Sequence, residues 1–299
     1  MNTAPQRVLT GSEIRELSAR SNLRGARRAV LHVAFIAFGA WLVAIAGPFT
    51  LVPSMLVLGI GLASLFAPTH ETMHLTAFAS RRTNAVVGWL AACPALLNWH
   101  FYTALHLAHH RHTQDSTLDP ELSPPPPGAW GGYLARISGL NYWRARLAVV
   151  RDSWRGDLSR YPYIPARAAP RIIRSVRAMS LFMLGLSVAS MVLVGWWAPF
   201  VFWIVPQLLG QPLLRLYLLT EHTGCTLDAN GLTNTRTTLT NAALRAIMWN
   251  MSFHAEHHLY PSIPFHRLPS AHAALRDRLG VVQRGYTRWH IGFIRSLRA

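Results

Sequence analysis

Four stretches of the chain are almost wholly apolar, each near the roughly 20 residues an α-helix needs to cross a bilayer. They cover residues 29–47, 51–67, 179–198 and 200–219. They fall into two pairs. The turn of the first pair, Pro48-Phe49-Thr50, and that of the second, around Ala198-Pro199, carry no charge. Trp196, Trp197 and Trp203 cluster at the second turn, as in an interfacial aromatic belt. A fifth apolar stretch, 84–97, is too short to span and is interrupted by Pro94, which predicts a re-entrant segment or one packed on the bundle. Residues 115–165 are polar, with a proline run at 124–127, and read as a stiff surface loop. Near the start, Thr10 and Glu13 have capping-box spacing, and Ile14, Leu17 and Leu23 give the segment an apolar face. That predicts a helix lying on the membrane surface rather than a cleaved signal peptide. The fold expected is an all-α integral membrane protein: four transmembrane helices in two hairpins, under a His-rich helical cap. Residues 1–28 would be an interfacial segment, 29–272 the membrane domain and 273–299 a tail.

Composition agrees with that pattern. Half of the residues (51%) are hydrophobic and only 14% are charged, well below the roughly 25% of soluble chains. All 29 basic residues are Arg, against 12 acids, for a net charge of +17. The Arg residues flank the apolar spans instead of forming a separate basic domain, which argues against nucleic acid as a partner. All but Arg215 lie outside the spans and none lies in the two turns. By the positive-inside rule the termini and the loop between the hairpins are cytoplasmic, which for a bacterial chain means the inner membrane. The two cysteines, Cys93 and Cys225, exclude a disulfide framework or an iron–sulfur site.

The chemistry rests on histidine. Nine of the 15 His fall into four groups: His70 and His74; His106, His109 and His110; His222; and His254, His257 and His258. On a helix, residues three and four apart share a face, so each group can aim its imidazoles at one point, and the topology carries all four groups to one membrane surface. Imidazole suits iron, zinc or copper, and nine ligands exceed the needs of one ion. His32, His272 and His290 read as structural, and His100, His112 and His266 flank the groups without joining them. His70-Glu71-Thr72-Met73-His74 also satisfies the H-E-x-x-H signature of zinc proteases, which leaves seven clustered His unexplained. A metal carrier would need a polar path through spans that have few polar residues.

At these residues the chain resembles the membrane fatty-acid desaturase superfamily. Its three histidine boxes correspond to His70/His74, His106/His109/His110 and His254/His257/His258, and the extra His after the last span to His222. The third box runs on as Leu259-Tyr260-Pro261-Ser262-Ile263-Pro264-Phe265-His266, like the short bacterial members similar to dihydrorhizobitoxine desaturase. The resemblance implies nine His ligands around two iron ions and O2-dependent oxidation of an unactivated C–H bond. It also implies an external electron donor such as ferredoxin and a lipid-like or amphipathic substrate drawn from the bilayer. The reaction expected is desaturation, with hydroxylation or ketolation as the alternative. In some relatives an Asn holds a metal-bound water one turn before the extra His; here Leu218 takes that place. Glu71, Glu221, Glu256, Asp115 and Asp119 are the acids expected to orient the imidazoles through their other ring nitrogen. Asn234, Arg236 and Arg245 are the residues expected to meet a polar substrate head.

Overall fold

The computed structural model describes residues 8–297. The chain begins with α1 (Gly11–Leu17), closed by the expected capping box: Glu13 accepts from the Thr10 backbone and Thr10 Oγ1 from the Glu13 N–H. Its apolar face is not free for a membrane. Leu9, Ile14 and Leu17 pack into a cluster with Phe253, Tyr260 and Ile263 of the third-box region, and the Tyr260 hydroxyl accepts from the Val8 and Leu9 N–H groups. The segment therefore caps the histidine-rich end.

Next come α2 (Asn22–Ala44), α3 (Leu51–Ser64) and α4 (Phe66–Met73). Leu65 alone separates α3 from α4, so they form one rod of 23 residues, Leu51–Met73. On α2, Val30, Leu31, Val33, Phe38 and Trp41 face outward. A side so apolar is stable only against lipid. The short apolar stretch forms α5 (Arg81–Ala92), packed on α4, and ends in a 3₁₀ turn, Cys93–Ala95, at Pro94. α6 (Trp99–His112) follows, its first turn capped by Asn98 accepting from the Phe101 N–H.

The polar region 115–165 is not simply a loop. It holds two amphipathic helices, α7 (Trp130–Ile137) and α8 (Leu140–Arg155), which expose Trp130, Leu134, Leu147 and Trp154 while burying Arg146, Val149 and Asp152. The charges on the buried face of α8 masked its helical period. α9 (Ala169–Leu193) and α10 (Val205–His222), the latter entered through a π turn at Phe200–Ile204, follow. Expected as a second hairpin, they take different partners: α9 packs on α8 and α6, while α10 packs chiefly on α3.

Among the described residues three helices are long and apolar enough to cross a membrane: Asn22–Ala44, Leu51–Met73 and Ala166–Leu193. The fourth expected span, around α10, has the length but not the composition. It carries Pro206, Gln207, Gln211, Pro212 and Arg215, and the two glutamines are buried, Gln211 donating to Gln207 at 3.2 Å. α10 instead lies against α3 at very short range. A Cβ on Gly59 would stand 2.1 Å from the Pro206 carbonyl oxygen, and one on Gly210 2.1 Å from that of Gly59. Only glycine at both positions permits the crossing.

The chain closes with β1 (Thr237–Leu239), α11 (Ala242–Ile247), α12 (His254–Leu259), α13 (Leu268–Leu275), β2 (Val282–Arg284) and α14 (Tyr286–Ser296). β1 and β2 pair in parallel, Thr237 opposite Val282, a small departure from an all-helical fold. The described part of the expected tail, residues 273–297, folds back on the domain. α14 docks on α10, with His290 Nε2 2.9 Å from the Leu216 carbonyl and the Tyr217 and Tyr286 rings stacked at 4.7 Å.

Candidate metal centre

Each histidine group sits on a helix that fixes its direction. His70 lies on α4 and His74 at its end. His106, His109 and His110 are on α6, His222 is the last residue of α10, and His254, His257 and His258 are on α12. These four elements converge, and the nine rings divide into two sets.

In the first set one nitrogen each from His70, His74, His106, His110 and His257 lies within 4.8 Å of all the others. His110 Nε2 stands 3.0 Å from His106 Nε2 and 3.1 Å from His257 Nε2. In the second set His109, His222 and His258 meet the same criterion. His254 joins them, its Nε2 3.2 Å from that of His222 and 3.1 Å from that of His258. The sets share a wall: the His110 and His258 rings stack at 4.1 Å.

The outward ring nitrogens show which way the lone pairs point. His106 Nδ1 meets Glu121 at 2.9 Å, His109 Nδ1 meets Asp119 at 2.9 Å, and His222 Nδ1 meets the Asn234 carbonyl at 3.2 Å. An Nδ1 that donates leaves the lone pair on Nε2. With neutral rings, His109 and His222 therefore aim two lone pairs at each other across 3.2 Å. Such an arrangement is repulsive unless a cation lies between. Burial favours the neutral form of most of the rings, holding His106, His110, His254 and His258 well below the imidazole range and His257 at about 3. Burial acts on His109 too, but Glu121 and Asp119 more than offset it and raise its proton affinity, making its Nε2 the better donor to a cation. Both ring nitrogens of His70, with His74 Nε2 and His254 Nδ1, are buried without a hydrogen-bond partner. An ion bound by nitrogens at about 2.1 Å and at right angles spaces them about 3.0 Å apart. The donor chemistry and the spacing fit two ions.

Of the acids expected to orient the rings, Asp119 does so directly. Burial would raise its carboxyl, yet the hydrogen bond from His109 holds it below the usual carboxylate range. Glu221 approaches from the other direction, Oε2 3.6 Å from His254 Nε2, with Oε1 buried and unpaired. The other three hold different groups. Glu71 accepts from the Phe265 N–H at 2.8 Å, Glu256 binds Thr237 and His272, and Asp115 is exposed and caps its own turn through Thr117 and Leu118. Glu121, on His106, escaped the sequence reading. Its signal is the Asp119-Pro120-Glu121 turn, where two acids flank a proline one short loop after the second box.

Asn234, Arg236 and Arg245, expected to meet a polar substrate head, do not line the cavity beside the imidazoles. Arg236 donates to the Thr220 carbonyl and sits over the Trp289 ring, while Asn234 anchors the turn around Asp228 and lends its carbonyl to His222. Arg245 packs beside Arg28, which donates to its carbonyl at 3.5 Å. The six remaining His behave as structural or flanking residues. His32 meets the Gly61 carbonyl and Trp249, His100 meets Ser175, and His290 meets Leu216 and Tyr133.

A cavity of about 260 Å³ opens onto both imidazole sets. His70, His106, His109, His222 and His254 form its floor, and Phe66, Leu97, Tyr102, Leu105 and Leu218 line its apolar side.

Comparison with known proteins agrees with this geometry. The chain is 25% identical over 275 residues to sn-1 oleoyl-lipid 12-desaturase of Anabaena variabilis, which aligns over 88% of this chain and 66% of the relative. The chain thus spans slightly under two thirds of that protein's length. It is 28% identical over 237 residues to dihydrorhizobitoxine desaturase of Bradyrhizobium elkanii, covering 73% of this chain and 65% of the relative. Beta-carotene ketolase of Paracoccus sp. is 26% identical over 216 residues, 69% of this chain and 72% of the relative. The sequence profile described as fatty acid desaturase matches residues 46–290, most of the chain and every histidine group. The chain belongs to the fatty acid desaturase family.

Proposed function

We propose that this protein is an O2-dependent membrane oxidoreductase with two iron ions, which introduces a double bond into an acyl chain or another lipid-like substrate. The observation that carries the proposal is the pair of imidazole sets, five and four rings, with converging nitrogens and a shared cavity. Zinc and magnesium lack the redox step; a bound iron pair supplies it, reducing O2 at the expense of the substrate C–H bonds. For desaturation the balance is two electrons and two protons from the substrate, two more of each from a donor and the medium, and two waters formed. An external carrier such as ferredoxin fits this role, and the Arg-rich surface suits an acidic partner.

The chain's own groups set the geometry. Asp119 and Glu121 fix the tautomers of His109 and His106, and the Asn234 carbonyl does so for His222. Phe66, Leu97 and Leu105 keep water from the floor of the cavity. In this reading the termini and the centre lie on the cytoplasmic side, and α10, though more polar than the other three, serves as the fourth span. This is supported by the Arg-free turns at 47–50 and 195–199.

Hydroxylation or ketolation by the same centre is the second reading, favoured by the likeness to a carotene ketolase. A zinc protease is disfavoured, because the Glu71 carboxylate is engaged by the Phe265 N–H. The test is metal analysis of the purified protein, followed by mass spectrometry of lipids and small molecules from a host that expresses it. About two irons per chain and an O2-dependent product lighter by two hydrogens are expected. A product that has gained one oxygen (hydroxylation), or gained one oxygen and lost two hydrogens (ketolation), selects the second reading, and zinc alone without O2 uptake overturns both.

A further inference from the structure

Besides the acids Asp119, Glu121 and Glu221, three arginines face the cavity. Arg136 on α7, Arg146 on α8 and Arg215 on α10 all line it. Arg146 is 8% exposed. The Nε atoms of Arg146 and Arg215 are buried without a hydrogen-bond partner. None of the three guanidiniums has a carboxylate within ion-pair distance among the described residues, although Arg151 and Arg160 on the outer surface both pair with Asp152. Arg146 and Arg215 share the ring of Tyr142, and the Arg146 guanidinium also lies 5.2 Å from the centroid of the Phe101 ring. The Tyr142 centroid lies 5.5 Å from the Arg146 guanidinium and 4.6 Å from that of Arg215, and the Tyr142 hydroxyl is tied to the Ala95 carbonyl at 2.6 Å. Cation–π contact positions a guanidinium without neutralising it. Arginines kept charged, partly desolvated and unpaired beside a cavity are costly unless a bound anion compensates them. Arg215 is also the one Arg inside the four apolar stretches of the sequence (29–47, 51–67, 179–198 and 200–219), and a charge at membrane depth marks a functional site by default.

We infer that the substrate carries an oxyanion head, a carboxylate or a phosphate, which Arg146 and Arg215 grip across Tyr142 with Arg136 at the rim. The apolar part of the molecule then lies along Tyr102, Leu105 and Leu218 toward the imidazoles. A cavity of about 260 Å³ is small, at or below the lower end of the roughly 300–1,000 Å³ usual for small-molecule sites. It suits a compact amphipathic acid better than a whole diacyl lipid. This inference rests on the redox reading above and names the substrate class for it.

The test is calorimetric titration of the full-length, iron-loaded protein in detergent with octanoate, octyl phosphate and the uncharged octanamide. Octanoate or octyl phosphate should bind and octanamide should not. Arg146→Gln and Arg215→Gln should each weaken that binding about tenfold or more, the loss of a charge-assisted contact, while Arg151→Gln leaves it unchanged. Should a Gln variant fail to fold, judged by helical circular dichroism and iron content, Arg215→Lys keeps the charge and should bind more tightly than any neutral replacement that folds. Binding of octyl phosphate without octanoate assigns the head as phosphate. In that case the same titration with phosphatidate nanodiscs separates a lipid headgroup from a free phosphoester. Equal binding of octanamide, no binding of either anion, or Gln variants that bind as wild type would overturn the inference. No turnover is involved, so such a failure leaves the iron and O2 measurements standing; should the protein hold a metal other than iron, the same titration is run on it as purified and reads the head group independently.

Discussion

A tautomer decides which nitrogen of an imidazole faces a metal, so the acids behind the rings matter as much as the rings. Asp119→Asn and Glu121→Gln should each lower metal affinity about 10- to 100-fold, read as iron retained against a competing chelator. Asp119→Asn should act through His109 in the four-ring set and Glu121→Gln through His106 in the five-ring set. Asp115→Asn, on a carboxylate that touches only its own turn, should leave retention unchanged. Asp115 and Asp119 are equivalent in the sequence, four residues apart in one polar turn. The 3₁₀ turn at Pro120 distinguishes them, aiming Asp119 and Glu121 inward. Likewise Glu71 and Glu256 sit within histidine boxes, yet their side chains leave on the far side of their helices. Membership of a motif told which residues would be near the centre, not which of their atoms would face it.

Among the elements, the contact of α3 with α10 sets the distance between the first box and His222. Val at Gly59 would drive a side chain into the Pro206 carbonyl. Overpacking of this kind costs about 1–3 kcal/mol. Gly59→Val should therefore lower the melting temperature and release metal from both sets, since His70 and His222 sit on the two rods it separates. Metal loss without a change in melting temperature would instead point to a local effect on the boxes. The apolar stretches, the turns that join them and the helical phase of every box were legible in the chain, because lipid contact and ligand convergence each impose a simple period; that α10 would pack on α3 and not on α9 was not. α7 and α8 were not, since their buried faces carry Arg136 and Arg146 and break the apolar pattern. α1 was legible as a helix, but its partner was not, because packing against Phe253 and Tyr260 depends on contacts some 240 residues away in sequence.

At the scale of the whole molecule, orientation is testable by fusion. Reporters at the N-terminus, the C-terminus and the 120–127 loop should all be cytoplasmic, and one inserted between Gly47 and Thr50 should lie on the opposite side. If the two ends fell on opposite sides, α10 would not be a span. Removal of metal should also be felt globally. Ligand binding stabilises the folded state by about 4 kcal/mol at a thousandfold excess over Kd, so a chelator should depress the melting temperature by several degrees, and re-addition of ferrous iron should restore it.

The imidazole sets draw their members from four elements that meet nowhere near one another along the chain, and one of these, α12, has only six residues. Without cations, the inward lone pairs would push α6 and α12 apart, opening a seam in a protein otherwise held by lipid. Iron would thus act as a staple between early and late parts of the polypeptide. A cell short of iron would accumulate copies that proteases can enter at that seam, so that the amount of enzyme follows the supply of its metal.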